Sequence, residues 1–269
     1  MKLENTEILI KGGGDLGSGI AWKLYRAGLK VAVMDLPSPM AIRRRVSFST
    51  AINEDSVDVD GVKGKHIRRG PDFKQNFLPV FDTSQNKIIN NFQPDVLVDS
   101  TLKALDNRTT FKNDAPFTIG VGPGFTAPDD IDCVIESNRG HYVGRVIWNG
   151  KAQKYTGVPG NIEGYTSQRL LRAPDSGKFK SLKNIGDRVA KDELIGWVNR
   201  MELRAGVNGI IRGLIAEGTH VKKNHKIGDI DPRGIKENVY TVSDKSRNIG
   251  GGVLEAILAR ITGKYKDLG

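Results

Sequence analysis

The first 35 residues alternate between two hydrophobic periods. Glu7 to Ile10 is a short apolar run with the character of a buried strand. A glycine turn follows, and then Ile20, Leu24 and Ala27 recur at helical spacing until Gly28 stops the helix. Val31-Ala32-Val33-Met34 predicts the next strand, with Asp35 at its end. Further short apolar runs predict buried strands at Pro79-Val80-Phe81, Val96-Leu97-Val98, Thr118 to Val121 and Cys133-Val134-Ile135, with a helical segment around Ile88, Ile89 and Phe92. The pattern predicts an α/β fold, a Rossmann-like doubly wound parallel sheet. Near the C-terminus Val253, Leu254, Ile257, Leu258 and Ile261 mark an amphipathic helix. Gly250-Gly251-Gly252 is expected at its start, and the helix is expected to return to the first sheet.

From about Leu170 the texture changes to short strands separated by glycines, and an internal repeat emerges. "GKFKSLKNIGDRVAKDELIGWV" from Gly177 aligns with "GIIRGLIAEGTHVKKNHKIGDI" from Gly209 at an offset of 32 residues. Gly177/Gly209, Leu182/Leu214, Gly186/Gly218, Val189/Val221 and Gly196/Gly228 all pair at that offset. Two such units would share a core that neither has alone. The pattern resembles the barrel-sandwich hybrid of biotinyl and lipoyl carrier domains over roughly residues 170 to 232. The hairpin "WVNRMELRAGVNG" between the units holds no lysine, so no biotin or lipoyl group is expected, and the module reads as an interaction surface or a lid. The expected divisions are a nucleotide-binding domain over 1–168, the β module over 169–234 and a C-terminal segment over 235–269.

Composition narrows the class. No run approaches the length of a membrane span, and the N-terminus lacks the layout of a signal peptide, so a soluble cytoplasmic protein is expected. The single cysteine, Cys133, and four scattered histidines offer no disulfide and no metal-ligand spacing. A net charge of +10 favours acidic partners. Basic residues are dispersed without aromatic interleaving, which argues against nucleic acid.

The chemistry is expected beyond the carboxyl ends of the strands, where ligands bind in open α/β sheets. Gly12, Gly13, Gly14, Asp15, Leu16 and Gly17 carry a GxGxxG spacing between strand and helix. There the glycines permit a tight turn, backbone approach to a pyrophosphate and close helix packing. Asp35 falls where a ribose-binding carboxylate is expected. Arg43, Arg44 and Arg45 could read a phosphate, or could form a solvated basic loop. Asp99, Ser100 and Thr101, then Gly122, Pro123, Gly124 and Phe125, follow later strands on the same rim. Glu136, Arg139 and His141 are the candidate catalytic residues, with His141 as an acid–base group or simply packed in a turn. Gly251 would add a second anion-binding helix start, and no metal site is expected.

Seven segments, "KGGGDLGSGIAWKL", "IRRRVSFSTAI", "GVGPGF", "ESNRGHYVGRVI", "APDSGKF", "IGDIDPRG" and "SDKSRNIGGGVLEAIL", together resemble the YqeB-type accessory proteins of the selenium-dependent molybdenum hydroxylase system. The resemblance implies a cytosolic maturation or support role for molybdenum enzymes that carry a labile, non-selenocysteine selenium. Two functions stay open. One is a maturation factor that binds a nucleotide-type ligand, such as the dinucleotide form of the molybdopterin cofactor, with a molybdenum hydroxylase or another maturation protein as partner. The other is a NAD(P)-dependent oxidoreductase of a small metabolite.

Overall fold

A computed structural model describes residues 2–85 and 92–267. The chain divides into two units, one formed by Met1–Pro39, Ser47–Tyr155 and Val242–Gly269, the other by Met40–Val46 and Thr156–Thr241. These boundaries differ from the sequence-based divisions. The β unit begins before residue 169, recruits Met40–Val46 and runs on to Thr241, while the C-terminal helix groups with the first unit, to which it is expected to return.

The first unit is built on a nine-stranded sheet. Its strands are β1 (Glu7–Lys11), β2 (Lys30–Asp35), β3 (Ser56–Val59), β4 (Val62–His66), β5 (Leu78–Asp82), β6 (Val96–Asp99), β7 (Phe117–Val121), β8 (Cys133–Ile135) and β9 (Val146–Ile147). They lie in the order β3-β4-β5-β2-β1-β6-β7-β8-β9. Seven strands run parallel, from β4 to β8 across the sheet, and β3 and β9 close the edges antiparallel. The sheet is therefore mixed, not wholly parallel. Counted along the chain, β1, β2, β5, β6, β7 and β8 stand in the order 3-2-1-4-5-6, which is that of dinucleotide-binding sheets.

Period-2 alternation separates the faces. Leu9, Ala32, Met34, Phe81 and Leu97 gather with Phe92 in one cluster. The intervening Ile8, Ile10, Val31 and Val33 are fully buried toward the opposite face, which α1 (Asp15–Arg26) covers. Ile88 and Ile89 lie outside the described residues. The β3–β4 hairpin escaped the sequence pattern although its turn carries a strong signal. Asp60 and Gly61 both adopt positive φ (49° and 79°), as a two-residue type I′ turn requires.

The first unit also holds the short helix α2 (Ala51–Glu54). The second holds α3 (Glu237–Tyr240). The C-terminal helix α4 (Asp244–Thr262) starts well before the glycine triplet. Ser243 caps it, its side chain accepting the Ser246 N–H at 3.2 Å, and Gly263 ends it in the left-handed conformation. Gly250-Gly251-Gly252 therefore lies inside the helix, correcting the expected cap. Each interior glycine costs about 1 kcal/mol in helix propensity. Two of the three permit close contact. A side chain at Gly250 would press on Gly19 and Lys23 of α1, and one at Gly252 would collide with the Gly144 carbonyl.

The second unit contains two four-stranded sheets, β10-β17-β15-β12 and β14-β13-β11-β16. Here β10 is Leu170–Arg172, β11 Gly177–Ser181, β12 Arg188–Val189, β13 Leu194–Val198, β14 Met201–Arg204, β15 Gly209–Leu214, β16 His220–Val221 and β17 Lys226–Asp231. The repeat is visible in the pairing. Gly177 faces Val221 across β11–β16, and Gly209 faces Val189 across β15–β12. Each repeat thus lends a two-residue strand to the other's sheet. Asp192 and Asn224, 32 residues apart, both take φ 66°. The halves share one core that includes Phe179, Ile195, Ile211, Leu214 and Ile227.

Candidate functional site

The carboxyl ends of β1, β2, β6, β7 and β8 gather the expected rim residues in the first unit. Gly12 leaves β1 with φ +96°, and its N–H donates to the Met34 carbonyl at 2.8 Å. Gly13 donates its N–H to Asp35 Oδ2 at 2.7 Å, and a side chain here would strike Val33 and Ser49. Gly17 sits so close to the Gly12 carbonyl and Ser100 Oγ that no Cβ fits. Gly14 differs from all of these. A Cβ there meets nothing within 4 Å, and Gly14 is the N-cap of α1 with no side-chain cap. The first turn of α1 carries N–H groups that a helix cannot satisfy internally, and the space beside the Gly14 Cα is open. Helix start and open backbone coincide. That is the arrangement a phosphate needs.

Asp35 stands beside this opening with its carboxylate already oriented. Oδ2 accepts from Gly13 and Oδ1 from the Leu36 N–H, both at 2.7 Å. Burial pushes its pKa up, more than these two hydrogen bonds and the charge of Lys103 draw it down. Each oxygen retains a lone pair for a further donor such as a ribose hydroxyl.

Ser100 and Thr101 shape the rim. The Ser100 hydroxyl donates to the carbonyls of Lys11 (3.0 Å) and Gly12 (2.9 Å), locking the glycine turn. The Thr101 N–H and hydroxyl donate to Asp99 Oδ1 at 3.0 and 2.7 Å. Gly122 (φ +79°) and Gly124 (φ +109°) make close chain crossings. A Cβ on Gly122 would meet Ser137 Oγ and Tyr155 OH, and one on Gly124 would meet the backbone of Ala104 and Leu105.

The candidate catalytic residues are engaged otherwise. Glu136 is 3% exposed, and its two oxygens accept the N–H groups of Asn138 and Gln153, each at 2.7 Å. It clamps the segment after β8. Arg139 forks onto Asp244 at 2.6 and 3.2 Å. His141 is exposed and packs edge-on against Tyr142, and among the described residues no hydrogen bond orients its ring. It stands in the turn that follows β8.

Arg43 and Arg44 group with the second unit, where their guanidinium donors are engaged. Arg43 is buried and donates to the carbonyls of Asn238 and Thr241, where α3 ends, and Arg44 donates to the Leu214 carbonyl at 2.9 Å. A guanidinium's several donors suit bare carbonyls at a helix end as well as they suit phosphate. Gly251 stands inside α4 and not at its start. Inside a helix its N–H is committed to the ladder.

Two features of this edge went unpredicted. Asp82 ends β5 in register with Asp35, and it bonds His66 Nε2 at 3.2 Å. Reading every strand end would have found it. The first turn of α4, with Lys245 and Ser246, reaches the N-terminus of α1, where the Ser246 hydroxyl donates to Asp15 Oδ1 at 3.2 Å. "SDKS" carries a capping signal that would have placed this helix start correctly. Among the described residues, no group of three or more His, Cys, Asp or Glu side chains could hold a metal ion. None of the described helices is long and apolar enough to cross a membrane.

No known family model matches the chain. Among solved structures, similarity is faint. D-mandelate dehydrogenase in ternary complex with NADH and anilino(oxo)acetate is 17% identical, with a TM-score of 0.26 over 44% of this chain and 34% of that one. An aspartoacylase family protein from Mesorhizobium loti is 12% identical, TM-score 0.27, over 84% and 85% of the two chains. The product-bound ectoine utilization protein EutE (DoeB) from Ruegeria pomeroyi is 14% identical, TM-score 0.28, over 84% of each. None of these scores establishes a shared fold. In sequence the relation is far stronger: over 255 residues and 93% of its length, the chain is 42% identical to a curated Escherichia coli (strain K12) protein, described as "Uncharacterized protein YqeB". It spans about half of that protein, 47% of its length. The chain is thus similar to YqeB across nearly all of its own sequence.

Proposed function

We propose that the first unit binds a nucleotide-type ligand and that the protein acts as an accessory or maturation factor for a selenium-dependent molybdenum hydroxylase. One observation carries the binding reading. The uncapped start of α1 opens at Gly14, the one glycine of the loop whose missing side chain faces empty space, with Asp35 oriented beside it. A dinucleotide fits this set, its diphosphate on the first-turn N–H groups and a ribose on Asp35. NAD(P) and the dinucleotide form of molybdopterin share these parts.

The hydroxylase role rests on the family resemblance carried by the segments quoted above. Glu136, Arg139 and His141 are clamped, paired or unoriented, which favours a binding and delivery role over stand-alone oxidoreduction. The second unit suits a carrier-like barrel-sandwich hybrid without its prosthetic arm. Asn199 and Arg200 occupy the turn between β13 and β14, where such domains carry a lysine. We read it as a surface for the hydroxylase or another maturation protein.

Calorimetric titration of the full chain with NADH, NADPH and molybdopterin dinucleotides tests the ligand class, and binding of at least one is expected. Nicotinamide turnover with a small metabolite, in the absence of any hydroxylase, would favour the oxidoreductase instead.

A further inference from the structure

Lys245, the second residue of α4, lies in the corner of the first unit that the nucleotide reading assigns to phosphate, and that reading gives it no role. Its helix is tied to the start of α1 through Ser246 and Asp15. Lys245 is half-buried there, within electrostatic reach of Asp15 on α1, Glu136 and Arg139 on the segment after β8, and Asp244 on its own helix. We propose that Lys245 is the side-chain cation that binds a phosphate group of the ligand seated on the Gly12–Gly17 loop, which makes the preferred ligand a diphosphate ester. The proposal rests on the nucleotide-binding reading and adds a residue and a charge requirement to it.

The surrounding carboxylates do not remove the need for an anion. Glu136 already accepts two backbone N–H groups, Asp244 holds the Arg139 fork, and Asp15 accepts the Ser246 hydroxyl. Burial, followed by the like charge of Arg139, draws the Lys245 pKa below the ordinary lysine range despite Asp15, Glu136 and Asp244. An under-compensated ammonium gains more from an arriving phosphate than a solvated one does. Arg139 is a poorer candidate because its fork is spent on Asp244. Lysine's flexible stem and point charge suit a phosphate approached from the side.

Titration of the full chain with inorganic pyrophosphate, ADP and CDP tests this. Lys245→Met should weaken all three by about ten-fold or more, the loss expected for one charge-assisted hydrogen bond. Lys245→Arg should stay within about three-fold of the parent, because the charge is kept. Wild-type affinity should fall on the alkaline side, within the range just below that of an ordinary lysine, as Lys245 loses its proton, and Lys245→Arg should flatten that fall. This second measurement stands even if Lys245→Met does not fold. Parental affinity in Lys245→Met, or a wild-type profile that matches Lys245→Arg through that range, overturns the lysine's role and leaves nucleotide binding intact. A wild-type chain that binds none of the three probes overturns both.

Discussion

The Ser246 hydroxyl donates to Asp15 Oδ1 at 3.2 Å, joining the first turns of two helices 231 residues apart in sequence. The helices run side by side from this point. Gly19 of α1 leaves room for Ser246, and Gly250 of α4 leaves room for Gly19 and Lys23. The contact brings the C-terminal helix to the glycine loop, which no local pattern specifies.

Gly14 and Gly17 should separate binding from folding. A side chain at Gly17 collides with the Gly12 carbonyl and Ser100, so Gly17→Ala should cost about 1–3 kcal/mol in urea unfolding. Gly14 has ordinary backbone angles (φ −73°) and open surroundings, so Gly14→Val should unfold like the parent yet bind no nucleotide. Unchanged binding by Gly14→Val would refute the phosphate position.

Neighbouring glycines of α4 should respond with opposite signs. Gly251 meets nothing within 4 Å, so Gly251→Ala should stabilise the first unit by about 0.5–1 kcal/mol through helix propensity. Gly252→Ala drives a methyl into the Gly144 carbonyl and should destabilise by about 1–3 kcal/mol. Thermal unfolding of both variants checks this, and equal shifts would contradict the packing.

Acid should loosen the β unit through Asp231. Burial by itself would raise this carboxyl's pKa, but the hydrogen bonds and charge of Arg233, helped by Arg212, bring it below the usual value. A depressed folded-state value means the contribution is fully present above the unfolded pKa of about 4 and is lost as pH falls through the folded one. Melting temperature against pH should decline below about pH 4, less steeply in Asp231→Asn.

Cys133 should be silent in the folded protein. It is fully buried in β8, and burial, then the charge of Asp132, pushes its thiol well above the ordinary range. Ellman's reagent should label it only at the rate of unfolding. Rapid labelling under native conditions would contradict the buried strand.

Much of this fold follows from local chemistry. β1, α1 and β2 emerge from apolar runs, a glycine loop and a terminal acid, because strand and helix periods are properties of neighbouring residues. The 32-residue repeat is equally plain, since Gly177 and Gly209 mark equivalent turns. The Asp60–Gly61 hairpin was legible too, though the strand pattern alone passed over it.

Other features depend on partners distant in the chain. Three consecutive glycines read as a helix boundary until Gly19 and Gly144 supply the surfaces that they fit. Arg43 and Glu136 carry the residue types of a binding site, yet one is spent on carbonyls at the end of α3 and the other on two backbone N–H groups. Lys245 gained its place only when α4 docked against α1. A polar side chain advertises what it can bond, and the fold decides which bonds are already made.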